Sequence, residues 1–413
     1  MNLPVVVIGA GIIGICCALK LRQAGFDVVV IDHNAPASQT SKGNAAAFAY
    51  PEIMPIGSPG AWKRVPRWLL DPLGPLSIDV RVLPEMLPWL VRFVRASSAS
   101  EVRRISTAQA RLMELSESSN QKLVLDLNLS DQVTHQGALT VYRSPQALQS
   151  ATLEWEIREE AGVEMTLLTA REIADMEPDL QNVSDAIFMP QWTNTLEPFR
   201  YAVSIFDFAV GIGVRYIQSK VIDIVSSPNG DNFAKDSSGN HHAFSACVVA
   251  AGAWSAELAR RVGDRALLAS ERGYNTTIAN PGVQLSHQIT FAEEKFVATP
   301  LSTGLRIGGA AEFAGMERAP NYTRSDRLVD VAKTYLPGLQ NDGGERWMGH
   351  RPSTPDSLPV IGRSLGSNTV LYAFGHGHLG LTQSAATGDL ITGLIQGRPA
   401  PFDLSPFSIE RFN

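Results

Sequence analysis

Cysteine is scarce in this sequence, and basic residues are not in excess over acidic ones. The 413 residues include three cysteines, and neither the adjacent Cys16 and Cys17 nor the isolated Cys247 has CxxC spacing. This scarcity argues against a disulfide framework and predicts a reducing compartment, so we expect a cytoplasmic location. The formal net charge is −6. Because no basic stripe is present, we expect no nucleic-acid partner.

Metal-ligand motifs are also missing. The eight histidines show no HExxH-like spacing, and the pair His376-x-His378 has no third cluster of ligands to complete a site. We therefore expect no metal ion. Internal repeats and low-complexity tracts are absent too, which leaves an ordinary globular protein of two or three domain-sized units.

The longest uncharged run, from Leu3 to Leu19, is organised as a strand, a glycine-rich turn and a helix. No Lys or Arg precedes it and three glycines interrupt it, so it is not read as a signal peptide or membrane anchor. In Gly9-x-Gly11-x-x-Gly14, the glycines allow a tight turn, a close approach to a pyrophosphate and close helix packing, respectively. A second apolar run ends at Asp32, whose carboxylate suits ribose hydroxyls. The pattern predicts a dinucleotide site.

The segment from Pro51 to Trp89 differs from what precedes it. It holds eight prolines together with Trp62 and Trp68, which predicts a long irregular excursion. Two interpretations stay open at this stage. The segment is either a packed covering loop, or a lid or surface that contacts a membrane or a partner.

Periodicity predicts the elements that follow. Helices are expected from about Ser97 to Leu129, from Pro145 to about Ala161 and after Pro198, and a strand is expected over Gly137–Tyr142. Short alternating strands between Glu271 and Glu312 predict an antiparallel sheet that forms a second domain.

Two more segments end in small residues or glycine. The buried strand ACVVA leads into Ala251 and Gly252, and it is either a plain core strand or one that passes beneath a bound nucleotide. Near the C-terminus, a strand leads into Gly375-His-Gly-His-Leu-Gly380 and then into an amphipathic helix. This turn directs a second helix N-terminus at a ligand, and with the first turn it is suited to an extended dinucleotide.

These motifs together resemble the FAD-dependent amine oxidoreductase family that includes D-amino acid oxidase, glycine oxidase and sarcosine oxidase, and within it most of all the bacterial D-amino acid dehydrogenases. The resemblance runs through VIGAGIIG, Thr40-Ser41-x-x-Asn44-Ala45 with Tyr50, GALTVY, VVAAGAWS, RGY, LRIGGAAEF, GHRPSTPDSLPVIG and GHGHLGLT. The sequence departs from the family pattern at two positions beside the expected flavin ring. The resembling dehydrogenases usually have Gly where Ala46 stands and often Gln where Ala47 stands.

The resemblance implies a mixed α/β fold: a Rossmann-type FAD-binding domain with a second, mostly antiparallel β substrate domain. The FAD domain is expected to be discontinuous, over 1–50, 195–265 and 340–413, with the substrate domain at 51–194 and 266–339. Since no Cys lies near the C-terminus, we expect non-covalent FAD. The implied cofactor-binding residues are Gly9, Gly11, Gly14, Asp32, His33, Thr40, Ser41, Asn44, Ala45, Val221, Ala251, Gly252, Gly375, Gly377, His378, Leu379 and Gly380.

Arg351 is the candidate for holding a substrate carboxylate, because a guanidinium binds a carboxylate through two parallel charge-assisted hydrogen bonds. The alternative is a structural ion pair with Asp356 or Glu345. Arg272 and Arg306 compete for the same function, although Arg306 alternates within a strand and is equally compatible with a solvent-facing position.

Three further side chains are candidates in the catalytic site. Tyr274 and Tyr50 are each able to donate a phenolic hydrogen bond to the carboxylate, and a packed aromatic is an equally good interpretation of each. A histidine near the flavin edge would bind the flavin or influence proton loss from the amine, and His376 is preferred to His378.

The predicted function is FAD-dependent oxidation of a D-amino acid, including D-proline or hydroxy-D-proline, to an imine. Electrons would pass to a quinone or another electron-transfer partner, with peripheral contact to the inner membrane as one location. The alternatives are an oxygen-using glycine or sarcosine-type amine oxidase, and a flavin-bearing subunit of a multi-subunit dehydrogenase. An NAD-dependent reductase is disfavoured, because the motifs account for one dinucleotide only.

Overall fold

The structure is a computed structural model that describes residues 3–57, 74, 76–227, 231–341 and 343–413. Much of the excursion predicted after Pro51, including Trp62 and Trp68, lies outside the described residues.

The strands, in chain order, are β1 (Val5–Ile8), β2 (Val28–Asp32), β3 (Ala47–Phe48), β4 (Leu76–Ile78), β5 (Val133–Thr134), β6 (Ala138–Tyr142), β7 (Thr166–Thr169), β8 (Asp185–Met189), β9 (Thr193–Thr195), β10 (Arg215–Gln218), β11 (Val221–Ser226), β12 (Asn232–Asp236), β13 (His241–Ala243), β14 (Ala246–Val249), β15 (Ala269–Ile278), β16 (Gln288–Phe291), β17 (Phe296–Leu301), β18 (Gly304–Phe313), β19 (Glu345–Ser353), β20 (Val360–Arg363) and β21 (Val370–Phe374).

Helices occur between these strands and in the segment after β4. The α-helices are α1 (Ile12–Gln23), α2 (Leu83–Ala96), α3 (Ala99–Asp126), α4 (Pro145–Ser150), α5 (Thr152–Glu160), α6 (Ala170–Met176), α7 (Pro198–Gly211), α8 (Ser255–Arg261), α9 (Thr323–Ala332) and α10 (Gly380–Ile395). The helix predicted from Pro145 to Ala161 is thus divided in two at Ala151.

The first sheet has the strand order β10-β2-β1-β14-β21-β20 in the described part of the chain, and β20 alone of these is antiparallel to its neighbour. Alternate residues of β1 face different cores. Val5 and Val7 pack with α1, α7 and α10, whereas Val6 and Ile8 pack towards α8 and the small sheet β11-β12-β13. Because both faces are covered, the strand is apolar throughout.

The second sheet has the order β19-β15-β18-β17-β16-β6-β8-β7, with β4 paired to β18. Most neighbours are antiparallel, and β16 with β6 and β18 with β4 are parallel. Helix α9 covers one face, where Leu328 and Val329 join the sheet's core. The predicted mixed α/β fold with a second, mostly antiparallel sheet is confirmed.

The predicted domain boundaries remain a prediction, and two elements cross them. Strand β19 falls in the segment 340–413 but pairs with β15 of the second sheet. Helix α3 falls in the segment 51–194, yet its Ile105 and Leu112 lie in the core that contains α1 and α10. Both cross the predicted division because their apolar or pairing partners lie far away in the sequence.

Candidate active site

A cavity of about 950 Å³ lies between the two large sheets. The C-terminal ends of β1, β2 and β14 open onto it from one side, and β15, β18 and β19 line it from the other. In open parallel sheets ligands bind beyond the carboxyl ends of the strands. The volume lies at the upper end of the range for small-molecule sites, which suits a large cofactor together with a small substrate.

The structure brings most of the predicted cofactor residues together around this cavity. Gly14 and Gly375 are outside its lining. The residues that line it are Gly9, Gly11, Asp32, His33, Thr40, Ser41, Asn44, Ala45, Val221, Ala251, Gly252, Gly377, His378, Leu379 and Gly380.

The first glycine turn lies where β1 meets α1. Gly9 has a φ of +110°, and a Cβ there would stand 2.4 Å from the carbonyl oxygen of Ala250. A Cβ on Gly14 would stand 1.9 Å from the Gly9 oxygen, so this helix packs closely against the turn only with glycine at that position. Gly11 caps α1 and lines the cavity, which directs the N-terminus of the helix towards a ligand.

Asp32 is held in place at the end of β2. Its carboxylate accepts hydrogen bonds from the backbone nitrogens of Ala10 (2.7 Å) and Asn34 (2.9 Å). These bonds fix its orientation while the side chain still lines the cavity. A carboxylate has about four acceptor sites, so capacity remains for the hydroxyls of a ribose.

The segment from Thr40 to Tyr50 connects the two walls of the cavity. Thr40 donates to the carbonyl of His350 in β19 (2.9 Å), and Ser41 accepts from the backbone nitrogen of Ile12 (2.9 Å). Arg306 donates to the carbonyl of Asn44 (2.6 Å). Arg306 is buried and lines the cavity, so its predicted solvent-facing alternative is wrong, and burial lowers its pKa.

Within this segment Ala46 adopts the left-handed conformation, with a φ of +59°. The Asn44 side chain accepts a hydrogen bond from the Ala46 nitrogen (2.7 Å), and the Ala46 carbonyl accepts one from Thr195 (2.8 Å). A glycine adopts this conformation without the cost of a Cβ. Alanine at position 46 therefore bears a conformational cost that glycine would avoid.

The second glycine turn packs against β19. The backbone of His376 bridges to Ser353, and the Gly377 nitrogen donates to the carbonyl of Pro352 (3.0 Å). Both contacts bring the turn next to Arg351. The first residue of α10, Gly380, lines the cavity, so a second helix N-terminus is directed at it.

The two histidines of this turn occupy different environments. The His376 ring is buried, its Nε2 lies 3.0 Å from Thr387 Oγ1, and burial lowers its pKa to about 3. The His378 side chain is more exposed and lines the cavity, and desolvation by the surrounding protein lowers its pKa, with Arg351 acting in the same direction. Both residues line the cavity, and His378 has the more exposed side chain, so the preference for His376 stays a prediction.

Arg351 projects from β19 into the cavity, with 26% of its side chain exposed. Its Nη1 donates to Glu271 Oε1 at 2.8 Å. The predicted alternative partners are wrong, because Asp356 pairs with Arg411 and Glu345 lies near Lys42.

The predicted tyrosines differ in position. Tyr274 lines the cavity, but its hydroxyl already donates to Glu312 Oε2 (2.5 Å) and accepts from the Asn321 nitrogen. Tyr50 does not line the cavity and belongs to the hydrophobic core, where its hydroxyl interacts with Asn120 and burial raises its pKa. The structure thus favours the packed-aromatic interpretation of Tyr50.

Arg272 is fully buried and lies outside the cavity lining. Its guanidinium donates to the backbone carbonyls of Gly315, Arg318 and Ala319. With its donors used in this way, Arg272 supports a loop of the second domain and is not a competitor for a substrate carboxylate.

Sequence reasoning missed Glu271, which lines the cavity and contacts Arg351. The pairing of β15 with β19 places the two residues opposite each other. No local signal in the sequence gives the register between these strands, which are about 80 residues apart.

The cavity residues fit an FAD. The open N-termini of α1 and α10 and the oriented Asp32 carboxylate supply donors and acceptors for a dinucleotide. In the described residues, no group of three or more His, Cys, Asp or Glu side chains is suitably placed for a metal ion. None of the helices in the same residues is both long and apolar enough to cross a membrane.

Comparisons with known proteins agree with this geometry. A model of a family described as FAD dependent oxidoreductase matches residues 4–394. The chain is 34% identical over 416 residues to a D-amino-acid oxidase from Bradyrhizobium diazoefficiens, covering 99% of this chain and 98% of that protein. It is 28% identical to a D-amino acid dehydrogenase from Rhizobium rhizogenes, covering 99% and 100%. A crystal structure of glycine oxidase from Geobacillus kaustophilus has a TM-score of 0.78 at 20% identity, with 99% of this chain and 98% of that chain covered, and therefore shares the fold.

Proposed function

This chain belongs to the family of FAD-dependent oxidoreductases, and on that premise we propose that it oxidises a D-amino acid to an imine. A primary imine would then be hydrolysed to a 2-oxo acid and ammonia, and D-proline or hydroxy-D-proline would give a cyclic imine. The observation that carries the proposal is one cavity lined by both the dinucleotide-binding turn and the half-buried guanidinium of Arg351. Relatives named D-amino-acid oxidase and D-amino acid dehydrogenase support the choice of substrate.

FAD would be held by the amides at the start of α1, by Asp32 and by the second glycine turn. When bound, FAD supplies the acceptor for a hydride from the substrate Cα. The three cysteines are buried and none of them lines the cavity. This supports non-covalent binding of FAD, because no thiol is placed to bond with it.

The protein's own contribution is to bind and orient the substrate. Arg351 would bind the carboxylate through charge-assisted hydrogen bonds, which fixes the position of the Cα. His378 lies near it, and its lowered pKa favours the neutral imidazole. A neutral imidazole can accept a hydrogen bond from the amine, which would orient the nitrogen lone pair for loss of the hydride.

For the electron acceptor we propose a quinone or an electron-transfer partner, with molecular oxygen as the alternative. The relatives include both an oxidase and dehydrogenases by name, so they leave this choice open. Helix α2 exposes Leu87, Val91 and Val94, which are spaced to share one face of the helix. An exposed apolar row of this kind supports contact with a partner or a membrane surface.

Anaerobic bleaching of the flavin band tests the proposal. The purified holoprotein is mixed with D- and L-amino acids, glycine, sarcosine and the hydroxyproline isomers, and air is then admitted. Bleaching by a D-amino acid with slow recovery in air is the expected result. Bleaching by glycine or sarcosine with rapid recovery would favour the oxidase alternative, and bleaching by the L-isomers alone would contradict the proposal.

A further inference from the structure

Glu271 stands next to the guanidinium that the proposed function assigns to the substrate carboxylate. We infer that Glu271 is a positioning residue of this site: it holds Arg351 by Nη1, so that the Nε and Nη2 edge of the guanidinium faces the substrate carboxylate. The inference rests on the proposed function and deepens it, because it states how the substrate is recognised.

The carboxylate of Glu271 is fixed at both of its oxygens. Oε1 accepts from Arg351 Nη1 and Oε2 accepts from Ser353 Oγ, each at 2.8 Å. Arg351 and Ser353 are two positions apart on β19, so their side chains lie on the same face of that strand. Glu271 stands opposite Arg351 on β15, and its side chain is only 7% exposed. A carboxylate held in this way can fix the rotamer of the arginine.

The absence of a side chain at Gly273 leaves room for the Arg351 guanidinium on the sheet. A Cβ at this position would lie 2.4 Å from both Cζ and Nη2 of Arg351 and 2.7 Å from its Nε. Gly273 and Glu271 are two positions apart on β15, so the guanidinium lies over the backbone of the same strand that holds its Nη1. Glycine at this position therefore leaves the room that the guanidinium occupies in the orientation held by Glu271.

The Nε and Nη2 nitrogens of the guanidinium lie against Gly273 and keep their hydrogen-bonding capacity for a ligand. Within the described residues, the hydrogen bonds of Arg351 come from Nη1, which donates to Glu271 and to the carbonyl of Ala310 (3.3 Å). Nε and Nη2 carry parallel N–H groups, the arrangement that matches the two oxygens of a carboxylate.

Binding of propanoate, a carboxylate without the α-amine, tests the inference without requiring turnover. Propanoate is titrated into the holoprotein, and the dissociation constant is read from the change in flavin absorbance. We expect Glu271→Ala to raise this constant about tenfold or more, whereas Glu271→Gln should stay within about threefold of the wild type. The glutamine keeps an acceptor for Nη1 and a group that bonds Ser353, so it rescues the orientation that alanine loses.

Two further variants separate positioning from general damage. Ser353→Ala frees Oε2 of Glu271 and should weaken propanoate binding by a smaller factor. Glu294→Ala breaks an ion pair with Arg143 in the same domain, outside the cavity lining, and should leave the constant unchanged. If Glu271→Ala does not fold, Ser353→Ala carries the test alone.

The outcomes separate this inference from the proposed function. Equal shifts for Glu271→Ala and Glu271→Gln, or no shift for Ser353→Ala, would overturn the inference even if a D-amino acid bleaches the wild-type flavin. Weaker propanoate binding by Glu271→Ala, with rescue by Glu271→Gln, would support it even if every amino acid fails to bleach the flavin.

Discussion

The two walls of the cavity are specified by the sequence in different ways. The nucleotide wall is formed by the ends of β1, β2 and β14, and there Gly9, Gly14 and Asp32 lie within about 25 positions of one another and act through local geometry. The substrate wall is formed by β15, β18 and β19, and there Arg351 depends on Glu271, which is 80 residues away. The first wall is encoded as a motif, whereas the second arises only when β15 and β19 pair in the correct register.

The largest effect is expected on the substrate wall, from Arg351→Ala. Removing one partner of a buried charge pair costs roughly 2–5 kcal/mol. Here the substitution removes the guanidinium that would bind the substrate carboxylate, and it leaves Glu271 without its cationic partner. We expect kcat/KM for the D-amino acid to fall by the factor that corresponds to this loss of free energy, while the flavin content stays at the wild-type level. Steady-state kinetics and the flavin-to-protein absorbance ratio provide the measurement.

Arg346→Ala is the matched control for this substitution. Arg346 lies on the same strand and pairs with Asp326, with both side chains half exposed. Exposed pairs contribute little, so its kinetics should remain close to those of the wild type. Loss of flavin from the Arg351 variant would place that arginine in cofactor binding and remove the contrast between the walls.

The nucleotide wall is tested by Gly14→Ala. Gly14 lies in a helix, so the backbone conformation suits alanine, but its Cβ would stand 1.9 Å from the Gly9 oxygen. We expect the free energy of unfolding to fall by about 2–3 kcal/mol, as for an overpacked core, and FAD to bind more weakly. Thermal melting and flavin retention on gel filtration measure the two effects.

Gly393→Ala provides the opposite case. Gly393 also lies in a helix, α10, and the nearest atom to its added Cβ is the end of the Arg398 side chain at 3.9 Å. Alanine should stabilise the protein by up to about 1 kcal/mol through helix propensity. Equal changes in melting temperature for the two variants would show that close packing at Gly14 is unimportant.

The turns and strand ends of the nucleotide wall could be predicted from the sequence. The family inferred from the motifs is confirmed by the match over residues 4–394. The turn at Gly9, the strand ending at Asp32 and the turn before α10 are all observed, because each depends on neighbouring residues. Glycine spacing and apolar periodicity record such local requirements directly.

The substrate wall was predicted only in part. The predicted Arg351 lines the cavity, but its partner Glu271 was missed, and Tyr50 packs in the core, as the alternative interpretation of that residue had it. The register of two distant strands determines the contact between Glu271 and Arg351, and tertiary packing determines the position of Tyr50. A single sequence shows which residue types are present, but not which ones face each other across a sheet.

The histidines of the second glycine turn lead to a pH prediction. Because burial lowers the pKa of His376 from 6.5 to about 3, the unfolded chain binds a proton in this pH range that the folded chain does not. Between about pH 6.5 and about pH 3, the free energy of unfolding should therefore fall by up to about 1.4 kcal/mol for each pH unit on account of this residue. His376→Gln should remove this contribution, and urea unfolding between about pH 7 and about pH 5 measures the slope. If the slope of the His376 variant matches that of the wild type, the ring is not as enclosed as its position in the structure indicates.

The smallest effect is expected in the segment that joins the walls, from Ala46→Gly. Ala46 is buried with a φ of +59°, where a Cβ costs roughly 1 kcal/mol, and glycine's greater freedom in the unfolded chain offsets part of the gain. We expect a rise in the free energy of unfolding of less than about 1 kcal/mol. Ala47→Gly, in the adjoining β3, should lower it by a similar amount. The changes in stability are measured by thermal melting with saturating FAD. Changes of opposite sign in the two variants would show that backbone conformation favours glycine over alanine at position 46. A loss of stability in both variants would show that the alanine side chain is needed there for packing.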